Sequence, residues 1–191
     1  MSNFRVKDPY QVCPSFETEH FFVRLVKIED AEDLLECYSD PVSNRLFNSD
    51  NCMNNFNIQT LEKMKEYIGF WLYEYERKYY VRFSIVNKST AKSIGTIEFF
   101  TRNEPEKKHG NIGILRLDLG SEFEISNVIT ELLQMIEDYF YDYFGANSIV
   151  TKAIPFGEQR RLSLKQLGYQ IFDDPQIISY NDYFIKMMGF N

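Results

Sequence analysis

The spacing of apolar residues along this chain changes several times, and each change marks an element. His20 to Lys27 (HFFVRLVK) is dense in β-formers and predicts a first strand. After Asp30, the residues Ala31, Leu34, Leu35 and Tyr38 recur at helical spacing until Asp40-Pro41 stops them. Residues 47–57 hold five Asn and predict a loop. Thr60 to about Lys78 predicts a second helix, with Leu61, Met64, Ile68, Leu72 and Tyr75 in one stripe. The period then drops to two. Val81, Phe83 and Ile85 oppose Arg82 and Ser84, residues 87–92 (NKSTAK) turn, and residues 93–101 (SIGTIEFFT) return, which is a hairpin.

A charged loop at 102–110 leads into 111–119, where Gly113, Leu115, Leu117 and Leu119 oppose Ile112, Ile114, Arg116 and Asp118. A long helix follows and ends before Gly145, with Leu132, Met135, Ile136, Tyr139, Phe140 and Tyr143 as its expected buried stripe. Residues 148–153 predict a short strand. Residues 157–167 predict a helix closed by Gly168 as a left-handed cap. Residues 169–173 and 182–188 predict two closing strands. The order β α α β β β α β α β β implies an α+β fold. Its sheet is mixed and mostly antiparallel, with one parallel crossover through the long helix and helices on both faces. Residues 1–17 read as an N-terminal arm and 18–191 as one domain, because no linker or repeat divides the chain.

Composition adds limits. Hydrophobic residues make up 44% of the 191, enough for a sizeable core. The net charge of −7 argues against nucleic acid as a partner, whose affinity comes from neutralising phosphates, and suits a cationic amine. Cys13, Cys37 and Cys52 are odd in number and match no metal spacing. No apolar run approaches a membrane span and the first residues carry no apolar secretion core, so a cytoplasmic, membrane-free protein is expected.

The motifs resemble those of the GNAT superfamily of N-acetyltransferases, in the branch of the ribosomal-protein N-terminal acetyltransferases. HFFVRLVKIEDAEDLLECYSDP is similar to that branch's opening strand, helix and turn. FSIVNKSTAKSIGTIEF, TELLQMIEDYFYDYFGANSIVTKA and RRLSLKQLGYQIF are similar to its hairpin, long helix and closing segment. The resemblance implies acetyl-CoA as co-substrate, held where two parallel strands part, and a primary amine as acceptor, on a peptide N-terminus or a small molecule. It implies a pyrophosphate loop of pattern Q/R-x-x-G-x-G/A, whose amides and helix N-terminus bind the anion. On this chain the pattern falls on Phe123 to Val128. The glycine position is Glu124, so the acetyl-CoA motif is degenerate here, and Phe123, Ser126 and Asn127 become the expected loop contacts.

Glu122 and Glu124 would oppose a pyrophosphate by about 1 kcal/mol or more. Two readings of these residues stay open. Ser121-x-x-Glu124 matches a capping box that starts the helix early, or the loop works in modified form. Arg160, Arg161 and Lys165 on the following helix are candidate phosphate contacts that would offset the two acids. For chemistry, the backbone amide of Leu117 or Leu119 would polarise the thioester carbonyl. Glu98 or Asp118 would take the amine proton, and Ser163 would protonate the thiolate. For either carboxylate the plainer expectation is a solvent-facing strand residue. The alternative function is a non-catalytic GNAT-fold module for binding or regulation. Tyr183 and Phe184, near a sheet edge, leave a homodimer open.

Overall fold

The computed structural model describes residues 8–52, 56–102 and 109–189. The expected charged loop lies mostly outside the described residues, as do the first seven residues of the arm and the middle of the Asn-rich loop. Eight strands form one sheet: β1 (Phe16–Glu17), β2 (Phe21–Leu25), β3 (Val81–Asn87), β4 (Ser93–Arg102), β5 (Ile112–Leu119), β6 (Ser148–Lys152), β7 (Gln170–Phe172) and β8 (Tyr183–Met187). Their order is β1-β2-β3-β4-β5-β6-β8-β7, and β5 with β6 is the one parallel pair among them. The helices are α1 (Ala31–Ser39), α2 (Pro41–Asn44), α3 (Leu61–Glu76), α4 (Ser126–Phe144) and α5 (Glu158–Gln166). The fold is the expected α+β arrangement, with two corrections: Phe16–Glu17, expected in the N-terminal arm, pair with β2, and β8 lies inside the sheet, so Tyr183 and Phe184 are buried between β6 and β7 and are not at an edge.

Strand alternation sends odd and even residues of the central strands to different cores. Leu115, Leu117 and Leu119 pack with Phe83, Ile97 and Phe99 against Ile129, Leu132, Leu133, Ile136 and Phe140 of α4. On the other face α1 and α3 close over a second cluster built on Leu34, Tyr38, Met64, Ile68 and Trp71. The α4 stripe is rotated from the expected one. Ile129, Leu133 and Phe144 are buried, whereas Tyr139 is 43% exposed and only lays its ring against Phe16. In α3 the buried positions are Met64, Ile68 and Trp71; Leu61 and Leu72 reach only its margin.

Two glycines carry geometric necessity. Gly145 ends α4 at φ 60°, and Gly168 follows α5 at φ 81°, both in the left-handed region. Gly95 does something different. A Cβ there would stand 2.1 Å from the backbone oxygen of Asp118, so β4 approaches β5 closely at the end of β5 because that side chain is missing.

Candidate active site at the parting of two strands

The parallel pairing of β5 and β6 runs from Ile112 with Ser148 to Leu115 with Thr151 and stops there, while β5 continues to Leu119. The strands part at Arg116. The amide of Gly120 donates to Ile94 of β4 at 2.9 Å, and the carbonyl of Asn111 accepts from Asn147 beside β6 at 2.7 Å. Backbone groups alternate along a strand, so even-numbered residues of β5 face β4 and odd-numbered ones face β6. Leu117 and Leu119 therefore turn their amides toward the side that β6 has left. Their side chains anchor the strand in the α4 core.

Residues 121–123 make a single 3-10 turn, and α4 begins at Ser126 with Ile125 as a cap that offers no side-chain bond. The capping box at Ser121 and Glu124 does not form. Glu124 instead makes a bidentate pair with Arg160: Nε donates to Oε1, and Nη2 donates to Oε2 at 2.9 Å. Both side chains are buried, at 7% and 5% exposure. A buried carboxylate needs a cation close by, and α5 supplies one. The same helix reaches α4 twice more. Gln159 accepts from the amide of Ser126 at 3.1 Å, and the Ser163 hydroxyl donates to the carbonyl of Ser126 at 3.1 Å. The amides of Asn127 and Val128 are left without helical partners by their position in the first turn. Arg161 donates to the carbonyl of Ala153 at 3.1 Å and stacks 5.1 Å from the Phe184 ring, and Lys165 is exposed. The three cations thus diverge: Arg160 turns inward to Glu124, Arg161 toward β8, and Lys165 to solvent. Phe123 is half-buried against the α4 core, and Asn127 is exposed.

On the opposite face, Arg82, Glu98 and Arg116 stand side by side on β3, β4 and β5, paired directly across the strands. Arg82 Nη2 donates to Glu98 Oε2, and Arg116 Nη1 donates to Oε1 at 2.9 Å. Arg82 Nη1 also donates to Asp118 Oδ2 at 3.0 Å and to the Tyr38 hydroxyl at 2.9 Å. The Tyr38 hydroxyl in turn donates to Asp118 Oδ2 at 2.8 Å. Glu98 is 3% exposed and Asp118 1%, so neither is the solvent-facing strand residue that plain alternation led one to expect. Glu98 has both oxygens engaged. Asp118 keeps Oδ1 without a partner among the described residues.

Burial alone would lower the Arg82 pKa, but Glu98, Tyr38 and Asp118 outweigh it and hold the guanidinium charged. Burial, aided by the Asp118 charge, pushes the Tyr38 hydroxyl and the Cys37 thiol well above their ordinary values. Cys37 thus stays a thiol and is no nucleophile near neutral pH. Where the Ser121 turn meets α2, burial works to raise the Asp40 carboxyl. Hydrogen bonds from Ser121, Ser43 and the Val42 amide prevail and hold it at about 2. No group of His, Cys, Asp and Glu among the described residues could hold a metal ion.

The family model for the acetyltransferase (GNAT) domain matches residues 20–170. The chain belongs to the GNAT acetyltransferase family. It is 22% identical over 157 residues to the uncharacterized N-acetyltransferase YoaA of Bacillus subtilis, covering 82% of this chain and 83% of that protein. Its fold matches that of the ribosomal-protein-S5-alanine acetyltransferase of Vibrio fischeri with a TM-score of 0.64 at 22% identity, over 91% of this chain and 96% of the other. It matches RimJ of Mycobacterium smegmatis, solved in complex with CoA-disulfide, with a TM-score of 0.67 at 12% identity, over 86% and 79% of the two chains. No helix among the described residues is long and apolar enough to cross a membrane.

The Arg82–Glu98–Arg116 ladder escaped the sequence reading as a unit, although its signal is present. Three neighbouring strands each carry a polar pair two residues apart: Arg82 and Ser84, Thr96 and Glu98, Arg116 and Asp118. Such pairs in phase on adjacent strands predict a shared polar face.

Proposed function

We propose that this GNAT protein transfers the acetyl group of acetyl-CoA to a primary amine, on a peptide N-terminus or a small molecule. The observation that supports it is the parting of β5 from β6 beyond Leu115 and Thr151, which leaves the Leu117 and Leu119 amides facing the side on which β5 has no further pairing with β6. A thioester carbonyl placed there accepts a hydrogen bond from one of these amides, which favours charge developing on its oxygen. The amine nitrogen attacks the carbonyl carbon, a C–N bond forms and the C–S bond breaks. The nitrogen gives up one proton and the departing sulfur gains one.

Of the two carboxylates considered, Asp118 is assigned the proton acceptor, by relay through water because its side chain is buried, since both Glu98 oxygens are engaged. Tyr38 and Arg82 fix its orientation. Ser163, expected as donor to the sulfur, is buried and gives its one hydroxyl proton to the Ser126 carbonyl, so the proton that the sulfur gains is assigned to solvent. The phosphates are assigned to the amides of Asn127 and Val128 and to Lys165, with Arg160 and Arg161 joining them only on leaving Glu124 and the Ala153 carbonyl.

The test is calorimetric titration with acetyl-CoA, followed by measurement of free CoA thiol when an amine is added. Saturable heat and amine-dependent thiol release are expected. No heat at millimolar acetyl-CoA would sink the proposal. That result would favour a second reading, a GNAT fold retained as a binding or regulatory module. The Glu124–Arg160 pair supports this second reading, because it satisfies from within a place where an anion would otherwise sit.

A further inference from the structure

Between α3 and the sheet lies a cavity of about 520 Å³, within the size range of small-ligand pockets. Its walls are aromatic: Phe56, Tyr67, Phe70 and Trp71 line it, with Tyr80 at one end. Its floor is the ladder of Arg82, Glu98 and Arg116. Arg116 is the first β5 residue past the last pair with β6, so the floor ends where the two strands part. Phe70 is 55% exposed at the rim, beside an ion pair of Lys63 and Glu66 at 2.7 Å.

Two features distinguish this cavity from a packing gap. Four aromatic side chains, Phe56, Tyr67, Phe70 and Trp71, border one open space. The Nε–H groups of Arg82 and Arg116 are also buried with no acceptor among the described residues. An unpaired buried donor costs about 1–3 kcal/mol, so the floor is short of acceptors rather than of donors.

We infer that the cavity is the acceptor site and that it selects primary amines carrying an aromatic group; this rests on the acetyltransferase reading above. The ring lies among Tyr67, Phe70 and Trp71, where offset and edge contacts favour it. Glu98, the carboxylate in that floor, has both oxygens taken by the two guanidinium groups, and the Asp118 carboxylate that also faces Arg82 does not line the cavity, so the floor offers an ammonium no free acceptor. Such a floor disfavours an ammonium and a polycation, and it favours the uncharged amine that the reaction needs. The molecule's net charge of −7 points the other way, toward polyamines, but that charge is spread over the surface and screened, whereas the guanidinium groups line the cavity itself. The aromatic amine has two sources, a free small molecule or the first residue of a peptide.

Trp71 is the one tryptophan in the sequence and forms part of the wall, so its emission reports occupancy with no acetyl-CoA present. Phenethylamine and a short peptide beginning with Phe are titrated against spermidine and glycinamide. A saturable change in Trp71 emission with either aromatic probe, absent with spermidine and glycinamide, is the expected result. The probe that responds identifies the source. Phe70→Ala and Tyr67→Ala each weaken the aromatic probe about fivefold, the size of one lost ring contact. A saturable response to spermidine or glycinamide but to neither aromatic probe overturns the inference. Silence from all four probes does so too, as does aromatic binding that is unchanged in both variants. Acetyl-CoA binding is measured separately. Its absence removes the transferase reading while the emission change still reports an aromatic-amine site.

Discussion

The two ends of the cleft answer the same problem in opposite ways. At the turn before α4 the protein satisfies its own polar groups: Glu124 holds Arg160, Gln159 takes the Ser126 amide, and Ser163 binds the Ser126 carbonyl. Across the sheet, beneath α3, it gathers more charge and leaves it less complete: Arg82 Nε and Arg116 Nε in the cavity floor, and Asp118 Oδ1 behind them, have no partner among the described residues. A self-satisfied end resists a ligand until a bond inside the protein is exchanged for one outside it. An incomplete end leaves buried donors short of acceptors, a cost that the surrounding ion pairs have to offset. In the proposed enzyme, the anionic co-substrate therefore has to compete with Glu124 for Arg160, while the acceptor meets a prepared chamber.

The strongest challenge to this contrast is Arg82→Leu. Removing it leaves Glu98 with Arg116 and Asp118 with the neutral Tyr38 hydroxyl, both carboxylates buried, and should cost about 4 kcal/mol of unfolding free energy in a urea titration. A loss below about 1 kcal/mol would mean that the ladder is looser than its geometry. Next in size, Glu124→Leu leaves Arg160 buried and unpaired and should cost about 3 kcal/mol, most of it regained in the Glu124→Leu/Arg160→Met double variant. Equal losses in single and double variants would deny that the pair is a unit.

A smaller effect separates the ends by affinity. Glu124→Gln removes one negative charge from the turn and frees part of Arg160, so acetyl-CoA should bind about fivefold more tightly by calorimetry. Unchanged binding would remove the competition argument. Acid titration then tests how the turn is tied to α2. The Asp40 carboxyl is depressed from 3.8 to about 2. Its stabilisation is therefore complete above its ordinary value and disappears as pH falls through the folded value. Asp40→Asn should flatten the melting-temperature profile between about pH 4 and pH 2 and leave the neutral region nearly parallel to the parent. The smallest expected change is the stability of Phe70→Ala, within about 0.5 kcal/mol, since the ring is more than half exposed. A large loss there would make the rim structural and the cavity a by-product of packing.

Local chemistry wrote the elements plainly into the chain. Helical spacing from Ala31 to Tyr38, the two-residue alternation in 81–86 and 111–119, and glycines at 145 and 168 each act through near neighbours, so they survive without knowledge of the fold. The same near-neighbour logic failed at Ser121 and Glu124. A capping box is the best local use of those residues, but Arg160, thirty-six positions away, offers Glu124 a charged partner in a buried place, and α4 starts later as a result. It also failed at Trp71, which falls outside the stripe taken for α3 yet stacks 4.3 Å from the Arg82 guanidinium.

By itself the sequence determined the order of strands and helices except β1 and α2, the family resemblance, and the residue types that could do acid, base or phosphate chemistry. Those follow from periodicity, turn chemistry and motif spacing, which are properties of neighbours along the chain. The tertiary structure decided which carboxylate keeps a free oxygen, which arginine is committed to an acid, and where a cavity remains. Each of these depends on what residues distant in sequence place around a group, and on the cost of burying a charge that no distant residue answers.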